Sequence, residues 1–91
     1  MTGKDPEMKR RYEEELANRE VASRIYRLRE EAGISQAELA RRVGTTQSVI
    51  SRLEDADYEG HSLAMLNRIA AAVERRVEIR FVPRKRRLQP A

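Results

Sequence analysis

Ser35 to Leu53, SQAELARRVGTTQSVISRL, contains two short amphipathic segments set around one glycine. Ser35 followed three residues later by Glu38 is a capping-box pattern. In it the hydroxyl accepts an early backbone N–H and the glutamate reaches back to the cap, so a helix begins here. Leu39, Ala40 and Val43 give that helix one apolar stripe, and Gly44 follows where the chain needs positive φ to turn sharply. Thr46 is the next N-cap, and Val49, Ile50 and Leu53 form the inward face of a second helix. Ala40 is small at the place where the second helix must cross the first closely.

Left outward near the start of the second helix are Gln47, Ser48, Ser51 and Arg52, whose side chains hydrogen-bond well to base edges and phosphates. The stretch from Val21 to Val73 resembles the lambda-repressor-like helix-turn-helix family, also called the XRE family. QAELA and VGTTQ are especially similar to segments of lambdoid phage repressors. The fold this implies is mainly α, a helix-turn-helix bundle, and the implied partner is double-stranded operator DNA. The resemblance gives Gln36 a backbone-phosphate contact, against the plainer reading of an exposed helix-start glutamine. It places Thr46 and Gln47 at the start of the recognition helix, where an amide side chain pairs with adenine. Ser48 and Arg52 depart from the phage pattern, which has glutamines there, so the operator sequence does not carry over. Arg52 has two readings, a guanine grip or a phosphate contact, and Ser51 contacts DNA or is a solvated serine. The resemblance also implies a structural ion pair between Arg29 and Glu54. Arg41 and Arg42 face outward on the first motif helix, near phosphates or simply solvated.

The 91 residues allow one small domain with a modest core. There is no cysteine and a single histidine, so disulfides, thiolate chemistry, metal sites and histidine-based catalysis have little to draw on. Asp55, Asp57, Glu59 and His61 share a loop but lack a ligand spacing, and no phosphate-cradling glycine loop or nucleophile elbow is present. The expectation is no enzyme activity, no cofactor, no metal and no small-molecule substrate. Without an apolar run of the ~20 residues that span a bilayer, or the apolar core of a signal peptide, no membrane partner and a cytoplasmic location are expected.

The formal charge of +4 is unevenly placed. Residues 1–20 hold five basic and six acidic groups, residues 21–73 seven of each, and residues 74–91 seven basic and two acidic. A balanced 21–73 core must engage DNA through local placement of Arg and polar groups rather than a broad basic field.

Four segments follow. Residues 1–20 are an extension: a disordered start to Lys4, then Asp5, Pro6 and Glu7 as N-cap, N1 proline and first-turn acid of a long helix ended by Gly33. Val21, Ile25, Leu28 and Ala32 make its core stripe. At ~1.5 Å per residue it reaches ~39 Å, so its first three turns protrude. Residues 21–75 are the helix-turn-helix domain, with Ser62 capping a last helix whose buried face is Leu63, Leu66, Ile69, Ala70 and Val73. Residues 76–82 alternate, Val77, Ile79 and Phe81 against Arg76, Glu78 and Arg80, which is strand patterning closed by Pro83. A lone strand needs a partner, the simplest being its copy in a homodimer. Residues 83–91 form a basic flexible tail, Arg84 to Arg87 being an auxiliary DNA contact or a solvated end.

A charged N-terminal helix, the core running SVISRLEDADYEGHSLAMLNRIAAAVERR and the terminal VEIRFVP together resemble HigA-type antitoxins of type II toxin-antitoxin systems. That resemblance implies a dimer that represses its own operon and neutralises a RelE-like (HigB-like) ribonuclease toxin. The alternative is a stand-alone XRE-family regulator. Tyr12 and Leu16 on the protruding helix are the candidate toxin anchors. Against them stands a solvated helix held by Arg11–Glu15, Glu15–Arg19 and Glu20–Arg24 pairs.

Overall fold

A computed structural model describes residues 6–83. Four helices follow in order: α1 Pro6–Ala32, α2 Gln36–Val43, α3 Gln47–Leu53 and α4 Leu63–Ala72. The Asp5 cap, the first four residues and the basic stretch 84–87 lie outside the described residues.

Local chemistry explains most boundaries. No proline or glycine interrupts α1 between Pro6 and Gly33, and Gly33 ends it with φ +70°. There Ile34 N–H donates to Arg29 C=O and Gly33 N–H to Glu30 C=O, closing a Schellman turn. Ser35, Thr46 and Ser62 cap the other three helices by accepting N–H bonds from Glu38, Val49 and Met65. Each hydroxyl replaces water at an otherwise orphaned donor, worth about 1 kcal/mol. Gly44 ends α2 at φ +87°, and a Cβ there would meet nothing closer than Arg68 Nη2 at 3.7 Å. Backbone conformation rather than space therefore demands glycine at that turn.

The core is small: Ile25, Leu39, Ala40, Val43, Ile50, Leu53 and Ile69 are buried together. Leu39, Ile50 and Ile69 are fully enclosed, each contributing ~2 kcal/mol relative to an exposed side chain. α2 and α3 pack directly on one another, and α4 closes over α2. α1 at 27 residues is ~40 Å long, and the molecule extends 51 × 25 × 21 Å. All buried residues of α1 lie from Ala22 onward, so its first half stands away from the core.

Several expectations need correcting. Residues 76–82 form no strand; Ile79 is half exposed and Phe81 is 96 % exposed. The alternation is present in the sequence, but strand hydrogen bonds need a neighbouring strand, and none is present among the described residues. Ala32 is exposed and Ala22 is buried in its place, because the core ends one turn before the helix does. Leu63 is 51 % exposed in the first turn of α4, while Leu66 and Val73 pack against the core. Of the three expected i,i+4 pairs on α1, Glu20–Arg24 closes at 3.1 Å; Arg11–Glu15 and Glu15–Arg19 do not form. Their long, fully solvated side chains gain too little from pairing to be held in one geometry.

α4 ends differently from α1 and α2. Arg75 N–H donates to Ala70 C=O and Glu74 N–H to Ala71 C=O, the same Schellman geometry, but the left-handed residue is Glu74 at φ +59°. A side chain there costs ~1 kcal/mol that glycine avoids. Glu74→Gly is expected to raise the thermal midpoint by about 4 °C, read by circular dichroism. An unchanged or lowered midpoint rules out strain at this turn.

Candidate nucleic-acid interface

The outward face of α3 depends on what fixes its other side. Ile50 and Leu53 are buried, and Val49 packs against the core. At the C-terminal end, the Arg29 guanidinium donates to Glu54 through Nε at 2.7 Å and Nη2 at 3.1 Å, while its Nη1 donates to Ile34 C=O at 2.9 Å. Gln36 Nε2 donates to the same Glu54 carboxylate at 3.0 Å. The two charged side chains are 10 % and 5 % exposed, and the Tyr26 ring lies 5.4 Å from the guanidinium carbon. Hydrogen bonding to Glu54 raises the Arg29 pKa further above its ordinary value. One ion pair thus joins α1, the entry to α2 and the exit of α3.

A second anchor comes from the following loop. His61 Nε2 donates to Leu53 C=O at 2.8 Å, and its ring meets Tyr58 edge-on at 5.0 Å between centroids. The loop expected only to carry exposed acids therefore fastens the last carbonyl of α3. Arg68 on α4 does the same for α2, donating to Val43 C=O at 2.9 Å. Neither role has a local sequence signal, since each side chain folds back onto a carbonyl of an earlier helix.

Held this way, α3 presents Gln47, Ser48, Ser51 and Arg52 to solvent, and with Gln36 and Asp55 they line one shallow depression. Thr46 is exposed at its edge, its hydroxyl committed to the cap. Arg52 makes no side-chain hydrogen bond or ion pair among the described residues. Gln36 belongs to the depression but is half-buried, with its amide N–H tied to Glu54, which leaves its carbonyl oxygen free of that bond. Asp55 had been grouped with the loop acids. It lies two residues past the end of α3, where helical periodicity gives no signal, and a turn hydrogen bond from its N–H to Arg52 C=O follows the helix there.

Arg41 and Arg42 are not part of this depression. Glu38 leaves the capping box half-closed and instead accepts from Arg41 and from Arg42 Nε at 2.8 Å. Those hydrogen bonds, Arg41 first, hold its carboxyl down at about 2. Tyr12 (62 % exposed) and Leu16 (44 % exposed) stand on the projecting half of α1. No helix is long and apolar enough to cross a membrane, and no group of His, Asp or Glu side chains converges as a metal site among the described residues.

A family model described as Helix-turn-helix matches residues 25–74, more than half of the chain. No curated protein and no solved structure matches.

The Arg29–Glu54 pair has a distinctive mutational signature. Glu54→Ala strands a buried guanidinium and is expected to lower unfolding stability by about 3 kcal/mol in urea titrations. The double substitution Arg29→Met with Glu54→Leu is expected to recover most of the loss, as an apolar pair leaves no orphaned charge.

Proposed function

The chain belongs to the XRE-type helix-turn-helix family, a family of DNA-binding domains, and from that membership we propose that it is a sequence-specific DNA-binding repressor. One observation carries the reading: the polar N-terminal face of α3, Gln47, Ser48, Ser51 and Arg52, is exposed while its opposite face is clamped by the core. A helix held so enters the major groove with its first turns on base edges. Gln47 is the adenine-reading residue, Arg52 grips guanine or phosphate, and Gln36 and Thr46 approach the backbone. In this reading residues 21–75 are the DNA-binding domain, residues 1–20 an extension and residues 83–91 an auxiliary basic tail.

The repressor acts as a homodimer whose residues 76–82 pair as a two-stranded ribbon through Val77, Ile79 and Phe81. Exposure of Ile79 and Phe81 in the single chain supports this, since association covers both side chains and supplies the missing strand edge. A second role, neutralisation of a RelE-like toxin encoded in the same operon, is favoured by the projecting half of α1. Met8, Tyr12 and Leu16 recur there every four residues along one exposed side, the pattern of a helix that seats in a partner's groove.

The DNA reading is tested by selection of bound duplexes from a random pool, followed by footprinting. Gln47→Ala is expected to weaken the selected site roughly five- to 150-fold, by ~1–3 kcal/mol, and to relax preference at one base pair. An unaltered preference removes Gln47 from the base-reading set. Sedimentation is expected to give a dimer that Phe81→Glu dissociates. For the second role, a truncation starting at Val21 is expected to keep DNA recognition and lose the toxin; undiminished toxin affinity excludes α1 as its site.

A further inference from the structure

Asp55 is an acid placed where the proposed interface meets a polyanion. Its N–H donates to Arg52 C=O at 3.1 Å, a turn that follows directly on Leu53, the last residue of α3. The side chain lines the same depression as Gln47, Ser48, Ser51 and Arg52 and is exposed. Its Oδ1 accepts the Asp57 N–H at 2.9 Å, an Asx turn that holds the carboxylate in position. No cation pairs with it among the described residues, whereas the adjacent Glu54 is neutralised by Arg29.

The depression says what this carboxylate meets. Asp55 borders it together with Gln36, which the DNA reading puts on the phosphate backbone, and with Gln47, Ser48, Ser51 and Arg52. A duplex seated on α3 therefore brings phosphates close to Asp55. Like charges repel there, and the Asx turn keeps the acid from swinging aside.

We propose that Asp55 is an electrostatic brake on the DNA interface: it opposes phosphate contact on every sequence, so that occupancy depends on base contacts made by Gln47, Ser48 and Arg52. The proposal rests on the DNA-binding reading. Residues 21–73 carry equal numbers of acidic and basic groups, so non-specific attraction by the core is already small, and one acid at the rim is a large fraction of it.

The test uses Asp55→Asn in the full chain, because the Asn carbonyl oxygen still accepts the Asp57 N–H and preserves the turn. Asp55→Ser, which also offers an acceptor, is measured beside it, and both unfolding midpoints are recorded. Labelled duplexes carrying the sequence selected by the natural protein, and duplexes of scrambled sequence, are titrated across a salt series. Both variants are expected to bind both duplexes roughly three- to tenfold more tightly at low salt, with the slope of log affinity against log salt steeper by about one. The selected sequence is expected to stay the same. Unchanged or weaker affinity overturns the brake, and so does a shifted sequence preference, which would make Asp55 a base reader. If the natural protein binds no duplex at all, the DNA reading falls together with the proposal; binding without a gain in the variants overturns the proposal alone.

Discussion

The bidentate contact between Arg29 and Glu54 is the constraint on which the arrangement of helices depends. The apolar core holds α2, α3 and α4 together, but apolar contacts are non-directional and leave rotation and sliding weakly specified. A guanidinium fork has a fixed geometry, and once both its edges and the facing carboxylate are satisfied, the ends of three elements have one mutual placement. Its partial burial makes it a device of specificity more than of net stability, because desolvation offsets much of the Coulomb attraction. The α3 face is therefore positioned by a charge pair behind it and by His61 on its last carbonyl.

Several charges around the motif are satisfied locally. Glu38 occupies Arg41 and Arg42, Glu54 occupies Arg29, and Arg68 spends its donor on a backbone carbonyl. Within the depression on α3, Arg52 has no acceptor among the described residues. The α3 face differs from a basic patch: Arg41 and Arg42 beside it are held by Glu38, and the depression offers directional hydrogen bonding from amides, hydroxyls and one guanidinium.

Most of the helices were legible because their signals are local. Caps at Ser35, Thr46 and Ser62, the stop at Gly33 and the turn at Gly44 depend on side chains and dihedrals within a few residues. The exposed set on α3 was legible for the same reason, since periodicity separates it from Ile50 and Leu53. What escaped depended on distant partners. His61 and Arg68 act on carbonyls of other elements, and Asp55 joins the site because the chain past Leu53 keeps turning. The phase of α1, with Ala22 inside and Ala32 outside, is set by where the bundle ends. The alternation over 76–82 is present in the sequence, but no strand forms among the described residues.

The unbroken course of α1 makes it a mechanical element. Tyr12 lies ~26 Å along the axis from Arg29, with no glycine or proline between them to act as a joint. A load applied at the free end is delivered as torque to the guanidinium that seats the exit of α3, rather than dissipated in a hinge. Whatever grips that arm thereby acquires leverage over the orientation of the face at its far end.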